Sequence, residues 1–515
     1  MSRVGDSFNL TQFWHVLIPL ASKLLTLHSP HYRQTTGSVI MSTHSGRWTA
    51  GIGAAFLTIA AHSFSADKPL SPSDVYGPRA NTAATTAAVV NPPRRSSSTA
   101  DTLRYWNQIA VDASGLDHTP VAAGETRVFG EQLGPGRSAR AMAIVHIAMF
   151  DAVNAITGGY RSYTDLPRET RPASIDAAIA TAARSTLVKM FPSQAANFNS
   201  LYVRDIARIP SSQDGQRILG AAVGQRAAMR ILAMRANDGS LGTDPHMGTE
   251  WITSDAAGHW RQDPISQSPI ALGAHWGTVK PFVMRSPSQF RVPPPPAMTS
   301  EAYTAAYDEV KRLGGDGVHT PTERSADQTN IGVFWAYDGM PSLCAPPRLY
   351  NQIATEISKN NRSVIELARL FALLNVAMAD AGIAGWESKF FYDFWRPVTG
   401  IRESDAGTGP TGAGDGNPAT IGDAGFFPLG APASNLTGPN FTPPFPAYPS
   451  GHATFGGALF ETLRNVYRTD SVAFTFTSDE FNGQTAGNDG QVRPLLPRSF
   501  TSLSQAEEEN GQSRI

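Results

Sequence analysis

The sequence predicts an all-α protein built as two helical bundles with long irregular loops. Three observations carry the prediction. Apolar residues recur at helical spacing over long stretches, strand-like alternation is scarce, and Pro- and Gly-rich segments separate the helical runs. At 515 residues the chain has room for two or three domains on a prior of roughly 150 residues each.

Taken in chain order, residues 41–66 come first to notice. They hold an early arginine, an apolar run from Ala50 to Ala61 and small residues before Ala66, the three parts of a secretory signal peptide. The run is too short to span a bilayer comfortably. The expectation is export, periplasmic or secreted, without a stable membrane anchor. Residues 1–40 then read as a spurious or disordered extension before a start at Met41. Residues 67–101, rich in Ala, Thr, Ser and Pro, read as a disordered linker. The first bundle is expected over 102–298, with helices at 138–156, 174–191 and 215–237 and an irregular Pro- and Trp-rich connection from 240. The second bundle is expected over 299–515, with helices at 299–314, 346–360, 363–391 and 452–467. Between the last two, residues 403–449 read as loop. Within it, 412–425 has the composition of a calcium loop without EF-hand spacing, and reads as solvated.

Composition excludes several classes. Basic and acidic residues balance at 42 against 43, which gives no support for nucleic acid as a partner. Cys344 is the only cysteine, so the chain has neither an intrachain disulfide nor a thiolate metal cage.

Three short stretches could carry chemistry. In "KFFYDFWRP" (389–397), Lys389 and Arg396 lie seven residues apart, nearly two turns, so a continuous helix would point both the same way, with Pro397 ending it. They could be snorkelling side chains or two cations facing one anion. In "PPFPAYPSGHATFGGALF" (443–460), Ser450 is a natural N-cap, and His452 lies in the first turn of the helix that follows. That is either an ordinary capped helix or an anion site. Ser513–Arg514 closes the chain and could be a frayed tail. His146 and Asp151 sit about 140° apart around their helix, so His146 reads as a core histidine.

In this order, K-x6-R-P, P-S-G-H and S-R resemble the phosphate-binding signature of the vanadium haloperoxidase and type 2 phosphatidic acid phosphatase superfamily. "FWAYDG" (334–339), "PPRLYNQI" (346–353), "ARLFALLNVAMADAGI" (368–383) and "FWRPVTGIR" (394–402) look like its vanadium chloroperoxidase branch, convincingly over about 330–470. The resemblance implies a vanadate cofactor whose oxygens are held by Lys389, Arg396, Arg514, the Ser450 hydroxyl and the Gly451 amide. His452 would be the acid–base residue. Trp386 and Phe445 would form the apolar halide-side wall, and Asp338 would pair with an active-site arginine or else lie in a surface turn. The implied activity is oxidation of halide by hydrogen peroxide to hypohalous acid, with a small organic halogen acceptor.

The sequence departs from the pattern at one point. In the family a histidine that ligates vanadium follows S-R after five residues. Here Ile515 follows Arg514, and no histidine lies after His452. The expectation is a C-terminally truncated haloperoxidase, inactive as given, through a frameshift, a truncated gene model or decay to a pseudoenzyme. The alternatives are an acid phosphatase of the same superfamily, in which a histidine is the nucleophile, and a non-catalytic oxyanion-binding protein.

Overall fold

The computed structural model describes residues 70–81 and 98–514. The expected extension and signal peptide lie outside the described residues. The chain runs through α1 (Pro72–Tyr76), α2 (Thr99–Asp117), α3 (Gly134–Thr157), α4 (Ile175–Met190), α5 (Ala195–Ile206) and α6 (Asp214–Met234). After a long connection follow α7 (Glu301–Gly314), α8 (Ala326–Phe334), α9 (Pro346–Ile357), α10 (Val364–Tyr392) and α11 (Pro397–Glu403). The last elements are α12 (Gly451–Tyr467), β1 (Phe474–Phe476), β2 (Arg498–Phe500) and α13 (Leu503–Gln512). β1 and β2 pair antiparallel, with Phe474 opposite Phe500.

Serine sets most of the helix starts. Ser98, Ser174, Ser300, Ser363, Ser450 and Ser502 each accept a first-turn backbone N–H, satisfying a donor the helix itself cannot. The centre is formed by α3 and α10, the most extensively packed helix pair described. Both are long and apolar enough to cross a membrane, yet 94% and 83% of their most apolar windows are buried inside the protein. Their apolarity is that of core helices. One continuous apolar core joins Ile144, Val223, Phe371 and Leu459, so it spans both expected bundles.

Glycines set the close approaches. A Cβ at Gly224 of α6 would stand 2.3 Å from the Ala178 carbonyl of α4. On α10, a Cβ at Gly385 would meet Thr454 at 3.3 Å, which lets the start of α12 lie against the end of α10.

Several expectations change. Part of the expected linker is ordered. A capping box of Ser71 and Asp74 starts α1, and the buried Tyr76 hydroxyl donates to the carbonyls of His118 (2.6 Å) and Gly339 (3.0 Å). α2 begins at Thr99, also inside the expected linker. The 412–425 loop is not simply solvated. Asp415 is buried and accepts from Asn417 N and Thr420 Oγ1, and Asn417 donates to Met298 O and Thr304 Oγ1. Ser513 caps the helix α13 and Arg514 pairs with Asp338, so these two residues are not a frayed tail. Lys389 and Arg396 do not share a helix: α10 stops at Tyr392, Asp393 adopts the left-handed conformation (φ 49°), and Pro397 opens α11 instead of ending α10.

Candidate oxyanion site

The ends of α10, α12 and α13 meet around a cavity of about 710 Å³. Lys389, Arg396, Ser450, Gly451, His452, Arg514, Trp386, Phe445 and Asp338, all nine residues singled out from the sequence, line it. The turn at Asp393 takes the place of the shared helical face. Along a straight helix seven residues span about 10.5 Å. After the turn, Lys389 Nζ lies 5.0 Å and the Arg396 guanidinium 4.8 Å from the centre of one ring, Phe445.

Backbone carbonyls hold these two cations. Lys389 Nζ donates to Pro446 O (2.9 Å) and Ala447 O (3.0 Å), while Arg396 donates to Phe445 O (2.8 Å) and Pro443 O (2.9 Å). Among the described residues neither is ion-paired to a carboxylate. Arg514 is, through both nitrogens of its fork, at 3.2 and 3.3 Å from the two oxygens of Asp338. The Asp338 side chain is 3% exposed, so the surface-turn alternative fails. Burial pushes Lys389 well below its ordinary range, and the charges of Arg396 and Arg514 push further. Burial and Arg514 likewise lower Arg396, to about 9, against the opposing pull of Asp338 and Asp263.

His452 is buried at the start of α12, its Nε2 bonded to Ala336 O and 3.9 Å from Asp338 Oδ1. With Nε2 donating to that carbonyl, Nδ1 is the nitrogen that can accept a proton. Burial, then Arg514, lower its pKa to about 4, so the imidazole is neutral at neutral pH. Tyr350 braces the same turn: its hydroxyl donates to His452 O and accepts from Asn510 of α13. Trp386 packs edge-on against Phe445 at 4.9 Å and donates to Leu272 O. By contrast His146 is stacked on Phe371 in the core, far down at about 3 through burial, and Asp151 accepts instead from Tyr163 and Thr164.

Sequence reading missed the carbonyl cradle from Pro443 to Ala447, Ala336 O, and the brace of Tyr350 and Asn510. Carbonyl partners leave no residue-type signal. A signal for the brace was available in the buried tyrosine of "PPRLYNQI".

Residues 369–515 match the VCPO second helical-bundle domain, the second bundle of vanadium chloroperoxidase. Vanadium chloroperoxidase of Curvularia inaequalis is 29% identical over 489 residues, covering 80% of this chain and 77% of that one. The chain is thus similar to vanadium chloroperoxidase over most of its length, and its second half carries that enzyme's second-bundle domain. Among solved structures, the first bacterial vanadium-dependent iodoperoxidase superposes with a TM-score of 0.60 at 22% identity, covering 81% of this chain and 89% of that one. A holo-type bacterial vanadium-dependent chloroperoxidase gives 0.53 at 17%, covering 78% and 88%. These structures share the all-α fold of this haloperoxidase relative.

The residues present fit an oxyanion such as vanadate. Three cations, Lys389 buried and Arg396 and Arg514 half-buried, face the cavity with one ion pair among them, Arg514 to Asp338, so a bound anion would relieve repulsion that the protein leaves largely uncompensated. Gly451 adds a steric reason. A Cβ there would stand 3.2 Å from the Trp386 ring, so glycine leaves the amide at the start of α12 open to approach.

Proposed function

We propose that this protein is a vanadate-dependent haloperoxidase that oxidises halide with hydrogen peroxide to hypohalous acid, which halogenates a small organic acceptor. The observation that carries the proposal is the convergence of Lys389, Arg396 and Arg514 on one cavity beside a neutral His452. Lys389, Arg396 and Arg514 would hold vanadate by charge-assisted hydrogen bonds, with the Ser450 hydroxyl and Gly451 amide completing the donor set. The chemistry supplied by bound vanadate is Lewis-acid activation of hydrogen peroxide toward halide. His452, with its pKa near 4, takes a proton from peroxide at Nδ1 as general base and later returns it. Asp338 fixes Arg514 and, through its nearness to Nε2, the histidine tautomer. Trp386 and Phe445 keep water from the site and so strengthen each hydrogen bond in it.

The test measures bromide-dependent bromination by the vanadate-loaded protein, with peroxide, against phosphate release from a phosphomonoester. Bromination that requires both vanadate and peroxide is the expected result. Phosphate release without any halogenation would contradict the proposal.

A further inference from the structure

The segment between the two cations has a clamp of its own. Asp393, in the left-handed region at φ 49° and ψ 37°, closes α10 by donating its N–H to Lys389 O (2.9 Å). Asparagine and aspartate tolerate this conformation, but it is uncommon for a residue with a side chain. Its carboxylate Oδ2 lies 2.9 Å from His259 Nδ1, on the connection between the two halves, while Oδ1 is buried without a hydrogen-bond partner among the described residues. The backbone on either side is tied to the same strip of that connection. Trp260 N donates to Asp393 O (2.8 Å) and Trp395 N to Gly258 O (2.9 Å). On the other edge, Ala447 N donates to Phe394 O (2.9 Å), and Ala447 O is one of the two carbonyls that hold Lys389. The strip 258–260 therefore fixes the turn that sends Arg396 back toward Lys389, and with it the carbonyls beneath both cations.

We propose that the His259–Asp393 contact is a positioning pair for the oxyanion site, holding the turn that brings the Lys389 and Arg396 cations onto one anion. The inference rests on the reading of the cavity as an oxyanion site. Neither residue touches the cavity, so their action is through the turn. Two features separate this from an ordinary helix cap. Glycine would adopt φ 49° more easily than aspartate, so the cap alone gives no reason for a carboxylate. The contact also reaches across 134 residues of sequence to a strip that packs on the site end of α10, where Trp251 and Trp260 meet Phe390 edge-on.

The experiment measures binding of orthovanadate by equilibrium dialysis, together with Tm, for the full chain and for Asp393→Gly, His259→Ala and Asp393→Asn. Asp393→Gly and His259→Ala should each bind about tenfold more weakly, the scale of losses seen when a partner behind a ligand is removed. Their Tm should stay within about 3 °C of the parent, since glycine suits the turn and His259 is half exposed. Asp393→Asn keeps both the backbone tolerance and the acceptor oxygen, and should restore most of the affinity. Equal binding by the parent, Asp393→Gly and His259→Ala would overturn the inference alone. So would weaker binding that appears only with a matching loss of Tm. No orthovanadate binding by the parent would overturn the oxyanion reading, and the inference with it.

Discussion

Arg348 is buried and Arg396 half-buried, and their surroundings differ. Arg348 of α9 donates to Asp479 at 3.0 and 3.2 Å, to Asp112 at 3.3 Å and to Val111 O at 2.5 Å. Burial works against its charge, but Asp479 and Asp112 outweigh burial and hold it above the ordinary guanidinium range. Arg396 has carbonyls and an aromatic ring around it, and burial with Arg514 pulls it down to about 9. The first arrangement is complete within the chain and ties α2, α9 and the segment before β2 together. The second is left electrically unbalanced, as expected of a site that takes its counter-charge from a ligand.

The largest effect expected from breaking this contrast is on the complete side. Arg348→Ala strands two carboxylates and should lower unfolding free energy by about 3 kcal/mol, toward the low end of the range because both acids keep some solvent contact. Denaturant unfolding measures it. At the site, His452 gives a comparable pH effect. Its folded pKa of about 4 lies below the ordinary 6.5, so the unfolded chain takes up a proton first as pH falls. Stability should therefore fall from pH 6.5 toward 4, by roughly 3 kcal/mol for this group. His146, at about 3, acts in the same direction over the same window. His452→Gln and His146→Phe should each flatten the stability–pH curve by about one proton in that window.

Arg396→Met should leave stability unchanged or raise it, since a half-buried charge without an ion pair is replaced by an apolar chain. The same variant should weaken orthovanadate binding by about 2 kcal/mol, roughly thirtyfold, the value of a charge-assisted hydrogen bond. Phe445→Leu should have the smallest effect. It removes two cation–ring contacts and should cost about 1 kcal/mol of oxyanion affinity, roughly fivefold.

Much of the site was legible because its chemistry resides in residue types. Lysine, arginine, serine, glycine and histidine in an order that resembles the family signature pointed to residues that line one cavity, and the 3.6-residue periodicity pointed to α3, α4, α6, α7, α9, α10 and α12. The path of the chain between Lys389 and Arg396 was not legible. A helical reading of "KFFYDFWRP" is locally reasonable, and the turn at Asp393 is held by residues 258–260, far away in sequence. The same holds for Tyr76, whose burial depends on carbonyls of His118 and Gly339. The Ala-, Thr- and Ser-rich composition around it points to a linker. In the 412–425 loop, composition suggested solvent, while its polar residues are satisfied by one another and by the N-terminal end of α7.

The central claim is that Lys389, Arg396 and Arg514 form one oxyanion site. Isothermal titration of orthovanadate into the protein tests it most directly, with Arg396→Met and Arg348→Lys titrated alongside. The account predicts saturable binding at one site per chain, displaced by phosphate, sharply weakened in Arg396→Met and retained in folded Arg348→Lys. Absence of saturable binding, or equal binding by the parent and Arg396→Met, would contradict it.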